Sequence, residues 1–216
     1  MSTSLIDLLT PSSGSQEQGR FYGVVVGIVT NNQDPNNMAR VKVKFPWLSD
    51  DNESWWARIA TPMAGAGRGS YFLPEVNDEV LIAFEHGDVR FPYVLGGMWN
   101  GQDAPPANNT DGQNNIRVIH SRSGHLIRLD DTNGDEKIEI IDKTGSNSLT
   151  IKSSDNSISL TCNGNMSLNC TGKMSIHASA GMEITCDAAV TIQANATMDL
   201  EATAPMTIKG AIVNIN

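Results

Sequence analysis

Asp131, Asn133, Asp135 and Asp142 stand at positions 1, 3, 5 and 12 of the spacing with which oxygen ligands wrap a calcium ion. Position 6 is Glu136 where such a loop turns on glycine, and the twelfth ligand is Asp instead of a bidentate Glu. The flanking runs are strand-like, so the stretch is a β-hairpin turning at Asn133-Gly134. His120 and His125 lack a third ligand at a usable spacing. The glycine-rich GAGRG of 65–69 follows no buried strand of a βαβ unit and opens no helix, which makes it a flexible loop and not a phosphate cradle. His86, in EHGD, has no serine or cysteine motif to activate and is a turn residue. Trp55, Trp56, Phe72 and Tyr93 offer faces on which nucleobases could stack, but their segment is acidic and its basic residues are dispersed. Core packing or subunit contact accounts for them. No catalytic, cofactor-binding or metal-ligating residue is assigned, and the chain is expected not to be an enzyme.

The strongest regularity lies in the last quarter, which repeats every eight residues. The first position of each octad is Ile158, Met166, Met174, Met182, Val190, Met198 and Met206, and the third is Leu160, Leu168, Ile176, Ile184, Ile192, Leu200 and Ile208. The fifth is always small: Cys162, Cys170, Ala178, Cys186, Ala194, Ala202 and Gly210. On a helix, side chains two apart diverge by about 200°, so this pattern belongs to short strands with alternate residues inward and a polar corner after each. One octad is only about 26 Å of extended chain, too short to wrap a closed rung around buried Met and Ile. Either three octads of one chain make a rung, which leaves about two and a half poorly stabilised rungs, or three chains contribute one octad each, giving about seven rungs at about 4.8 Å spacing; the second is favoured. The expected trimer core is therefore the fourteen first- and third-position residues from Ile158 to Ile208. The earlier Leu149-Thr150-Ile151 begins the repeat, and its nine-residue step to Ile158 is expected to be absorbed as a bulge or loop. All three cysteines fall at the fifth position, as small core residues and not a disulfide framework.

The 216 residues carry a formal charge of −9, which a trimer triples, and this repels nucleic acid and anionic membrane. No run approaches the roughly 20 apolar residues of a membrane-spanning helix, and the polar start has no basic region before an apolar core. The expectation is synthesis and folding in the cytoplasm. Residues 1–19 form an N-terminal segment around Leu5, Ile6, Leu8 and Leu9, expected to fray. Then come FYGVVVGIV, RVKVKFPWL, WWARIA, DEVLIAFEH and FPYVLGGMW, five strand-like runs between turn clusters such as NNQDPNN and LSDDNES. Five short strands without helical period suggest a five-stranded OB-fold barrel over 20–104. Pro105-Pro106 opens a linker over 105–116. A neck hairpin over 117–147 follows, in which VIHSRSGHLIRLDD faces EKIEIID, and the rod occupies 148–216.

YGVVVGIVTNNQDP, RVKVKFPWLSDD, SWWARIATPMAGAGRG, YFLPEVNDEVLIAFEHGD and PYVLGGMWNG, followed by RSGHLIRLDD and the octads, resemble in order the baseplate assembly protein V and VgrG family. These are central spike proteins of contractile phage tails, type VI secretion systems and extracellular contractile injection systems. The implied fold is all-β, an N-terminal OB-fold barrel followed by an intertwined trimeric triple-stranded β-helix. The implied function is a structural spike that pierces the target envelope, touching the membrane only mechanically, within a virion tail or injection system. Implied partners are two further copies, baseplate hub and inner-tube proteins, a PAAR-repeat tip protein and, in a VgrG-like carrier, secreted effectors. Some members hold a metal at their own apex through a His-x-His pair, which this sequence lacks; the expected seat for a tip protein is Ile212, Val213, Ile215 and Asn216. Some phage spikes carry a lysozyme domain between barrel and helix, where only the short linker stands here. Two readings of other classes are an OB-fold nucleic-acid binder with a trimerising tail and a monomeric β-solenoid acyltransferase. The charge disfavours the first, and the eight-residue period disfavours the second, which needs hexapeptides.

Overall fold

A computed structural model describes residues 20 to 215, without the side chains of 49–52; the expected N-terminal segment and Asn216 lie outside the described residues. The chain divides into two compact units, one ending at Gly164 and one beginning at Asn165. The described chain is all-β apart from one short 3-10 turn, Glu85–Gly87.

The first unit opens with a barrel. Its strands are β1 (Val24–Asn31), β2 (Lys42–Phe45), β3 (Ser49–Glu53), β4 (Arg58–Ile59), the small hairpin of β5 (Ala64–Gly65) and β6 (Arg68–Gly69), then β7 (Glu79–Phe84) and β8 (Pro92–Gly97). The main sheet runs β3-β2-β1-β7-β8-β4, antiparallel except where β4 meets β8. It closes on itself because Ala57, just ahead of β4, exchanges backbone hydrogen bonds with Val41, just ahead of β2, at 2.7 and 3.1 Å. A ring of five strands results, the barrel expected from the five hydrophobic runs.

Alternation produces the core. In β7, Val80, Ile82 and Phe84 are buried while the residues between them are half-buried. Val29, Val41, Val43, Phe45, Ala57 and Val94 complete the cluster from the other strands. Gly27 marks where β1 crosses this core most closely, since a Cβ there would lie 3.2 Å from Val43 and 3.3 Å from Ile82. One end is sealed by rings: Phe21 stacks on Trp47 and meets Phe84 edge-on, and Phe45 touches Trp47 and Phe84.

Two barrel elements differ from expectation. LSDDNES holds strand β3, although its composition is that of a turn; backbone pairing with β2 and the ion pair of Lys42 with Glu53 at 3.0 Å hold it extended. GAGRG is a tight β5–β6 hairpin and not a flexible loop, with Ala64 opposite Gly69.

Beyond the linker, β9 (Ile116–His120), β10 (Leu126–Asp130), β11 (Lys137–Ile141), β12 (Ser148–Lys152) and β13 (Ser157–Thr161) form one antiparallel meander. The expected neck was a single hairpin. Its β10–β11 turn does reverse around Gly134, at φ +81°. The run VIHSRSGHLIRLDD, however, is itself folded at 121–125, where the Ser121 N–H donates to the His125 carbonyl at 2.9 Å and Ser121 Oγ accepts the His125 N–H at 2.9 Å. The nine-residue step after Leu149 is neither bulge nor loop between stacked corners. Asn156, at φ +55°, and Asp155, whose carboxylate accepts the Ser157 N–H at 3.1 Å, reverse the chain. Leu149 therefore pairs with Leu160 and Ile151 with Ile158, inside a sheet that spans the 147/148 step between neck and rod.

The second unit is simpler. From 165 to 215 no strand is assigned, and two-residue bends recur at 171–172, 179–180, 187–188, 195–196, 203–204 and 211–212, with six residues of extended chain between them. The bends occupy the sixth and seventh octad positions. Every described residue of this unit is exposed.

Candidate assembly surfaces

The residues of the octads meet no cover within the chain. Third-position side chains from Leu168 to Ile208 are between 64% and 77% exposed, first-position ones from Met166 to Met206 between 46% and 60%. The first member of each series, Ile158 at 73% and Leu160 at 60%, belongs to β13 in the other unit. Cys162, Cys170 and Cys186 are all exposed. In water such a row of Met, Ile and Leu is unfavourable by about 1.5–3 kcal/mol for each side chain that burial would remove. Extended segments without an intrachain ladder also leave their backbone groups to solvent or to another chain. Of the residues expected to seat a tip protein, Ile212, Val213 and Ile215 are exposed, and Asn216 is outside the described residues.

The meander presents a second apolar surface that the reading of the sequence missed. Directly paired residues of antiparallel strands share a face. Ile119, Ile127, Ile140, Leu149 and Leu160 therefore form one row across all five strands, and Leu129, Ile138, Ile151 and Ile158 form the next, ending at Arg117. The signal was present in the alternation of LIRLD and KIEII. The reversals at 121–125 and 153–156 lack an Asn-Gly pair, so the sequence marks only the turn at Asn133-Gly134. The opposite face mixes half-buried Ile116, Val118, Leu126 and Ile141 with charged residues and is knitted by ion pairs. Arg128 pairs with Glu139, and Asp135 holds Lys137 at 2.8 Å and Lys152 at 2.9 Å. Those two lysines keep the Asp135 carboxyl at about 2, well below its ordinary 3.8.

The candidate chemical groups resolve into structural duties. Asp131 holds Arg117 at 2.7 Å, Asp135 holds its lysines, and Asp142 accepts the Asn147 backbone N–H at 3.1 Å and the Thr144 hydroxyl at 2.8 Å. Asp142 is thereby held at about 2. The calcium spacing thus falls on separate contacts, and no group of three or more His, Cys, Asp or Glu among the described residues is placed to hold a metal. His125 accepts the Lys143 N–H through Nδ1 at 3.2 Å. His86 sits at φ +48° in the 3-10 turn. Trp56 lies under Arg40 and Lys42, and Tyr93 under Arg58, with the Tyr93 hydroxyl donating to Glu85 at 2.6 Å. Trp55 and Phe72 are exposed.

A shallow recess of about 480 Å³ lies beside the loop 32–39 and Tyr71. Its floor is built by Asp34, whose carboxylate takes Arg40 in a two-point ion pair at 2.7 and 2.8 Å and accepts the N–H groups of Asn36 and Met38 at 3.0 Å. The guanidinium holds that carboxyl far below the ordinary range. Every lone pair aimed at the loop is therefore occupied by the chain itself, and the geometry is that of a rigid loop.

Sequence comparison agrees with the barrel. The family model of the type VI secretion system/phage-baseplate injector OB domain matches residues 25–99. Type VI secretion system spike protein VgrG3 of Vibrio cholerae is 33% identical over 100 residues, 44% of this chain and 10% of that protein. Spike proteins VgrG1a and VgrG1b of Pseudomonas aeruginosa are 31% and 32% identical over 136 residues, 57% of this chain and 21% and 18% of theirs. The chain thus spans about a fifth or less of the length of these relatives. The closed five-strand ring lies in the matched stretch, so this part of the chain is similar to the injector OB domain of type VI secretion systems and phage baseplates and to the corresponding part of the VgrG spike proteins.

Proposed function

We propose that the chain is the structural central spike of a contractile injection machine, a three-copy needle with OB barrels at its hub and octads in its rod. The observation that carries this is the octad stripe, extended, bent every eight residues and bare of cover in a single copy. Three copies would lay the extended segments side by side, pairing their backbones and enclosing first- and third-position side chains as a triple-stranded β-helix. Its work is mechanical: sheath contraction pushes the spike, and continuous backbone ladders carry the axial load. No group in the reading acts as a catalyst. Baseplate hub and inner-tube proteins would meet the barrels. Ile212, Val213 and Ile215, exposed and strand-like, support a PAAR-type tip protein as the partner of the last octad.

Light scattering on the purified full chain gives the test: a mass three times the 23.2 kDa of one chain is expected. A stable folded monomer would overturn the reading. For the tip, pull-down of a PAAR-type protein should succeed with the full chain and fail after truncation at Gly181; equal capture by both removes that partner.

A further inference from the structure

The apolar face of the meander is a sheet surface with one side satisfied and the other bare. Its two rows hold Ile and Leu at nearly every position, with Ile119 50% and Ile140 49% exposed. The one charged member, Arg117, is paired with Asp131. A sheet with ion pairs on one face and aliphatic side chains on the other is half of a packed structure.

The sequence identifies the other half. The first- and third-position series of the octads starts within this face, at Ile158 and Leu160, so the two surfaces are continuous along the chain. From 165 on, the described octads repeat one pattern with no intrachain ladder, and the segment that matches them is another copy of the same pattern. An aliphatic face whose one charge is already paired is likewise complementary to itself. The occupant is therefore a second copy of this chain.

The meander supplies something that the octads lack. Moving one copy along its neighbour by eight residues sets Met against Met and Ile against Leu, and leaves only the terminal octads unmatched. The repeat alone does not fix one alignment. In the meander the chain reverses at every strand, and one row stops at Arg117, so a displaced copy would set polar residues against the rows. We infer that this face is a contact surface between copies of the chain and that it sets the register in which their octads align. The inference rests on the three-copy reading above.

The test uses the full chain with Ile138→Thr and Ile140→Thr together, which keeps β-branching but removes apolar surface from both rows. The control is Thr150→Val with Ser159→Val, a directly opposed pair on the opposite face. All four tryptophans, at 47, 55, 56 and 99, lie in the barrel segment, so their fluorescence reports barrel folding separately. The wild type and the control are expected to give one three-chain mass, and the double Thr variant a spread of masses with unchanged tryptophan emission. A double variant with a single three-chain mass and the wild-type thermal midpoint would overturn this inference and leave the three-copy reading standing. A monomeric wild type would overturn both. Hydroxyl-radical footprinting of the wild type decides the matter if the variant fails to fold. Ile127, Ile138 and Ile140 should be labelled several-fold more slowly than in the urea-unfolded chain, and labelling at the unfolded rate removes the contact.

Discussion

Val43 in the barrel and Ile176 in the octads are both β-branched residues on extended chain, yet one is fully buried and the other is 71% exposed. Propensity does not separate them; closure does. The barrel strands turn back on one another, and the Val41–Ala57 bridge joins the ends of the sheet, so each inward side chain meets inward side chains of the same molecule. An octad has six extended residues, about 20 Å, before its bend, and has no way to enclose its own apolar row. One region covers its apolar side chains within one chain, and the other leaves them exposed.

A carboxylate in the octads should break the comparison most completely. Ile176→Asp would set three carboxyl groups together at one level of the proposed rod, and should abolish the three-chain mass while leaving tryptophan emission unchanged. An intact trimer would disprove the inward position of Ile176. The converse is a barrel cavity: Ile82→Ala should cost the barrel about 2–5 kcal/mol in chemical denaturation followed by tryptophan fluorescence, with the mass at low denaturant unaltered. A smaller loss is expected at the loop of 32–39, where Asp34→Asn removes the two-point pair with Arg40. Its thermal midpoint should fall less than that of Ile82→Ala, and a larger fall would make the loop, not the core, the keystone of the barrel.

The gentlest probe is acid. Asp88 is held at about 2 by Arg90, Asp135 at about 2 by Lys137 and Lys152, and Asp142 at about 2 by the Asn147 N–H and Thr144. Carboxyls lowered in the folded state contribute stability that is whole above their ordinary value of 3.8 and is lost as pH falls through about 2. Thermal midpoints of the first unit should hold steady from neutrality to about pH 4 and decline below it. A midpoint unchanged at pH 2 would show that these contacts contribute nothing.

How much was legible differs between the same two regions. The hydrophobic runs at Phe21, Arg40, Trp55, Asp78 and Phe91 marked the strands of the ring, because each alternates apolar and polar residues or carries a β-branched cluster. Strand β3 escaped because Ser-Asp-Asp-Asn-Glu has no apolar residue to alternate, and its extension comes from the ladder of β2. The β5–β6 hairpin escaped because glycines signal turns without saying whether the flanks pair. In the assembly surfaces, the octads were visible as a period, while the meander face was not, since its rows are assembled from strands that reverse direction four times.

The sequence by itself determined the eight-residue step, the alternation that marks the main barrel strands and the meander strands, and the resemblance of the barrel to injector OB domains, all properties of residue order that need no partner in space. The tertiary structure decided that the barrel closes through Val41 and Ala57, that Leu149 pairs with Leu160 across a chain reversal where the sequence suggests a nine-residue step with a bulge or loop, and that nine Ile and Leu side chains share one face. Those outcomes depend on which strand lies beside which. Register between distant segments is fixed by backbone hydrogen bonds and turn geometry, which no local pattern of side chains encodes.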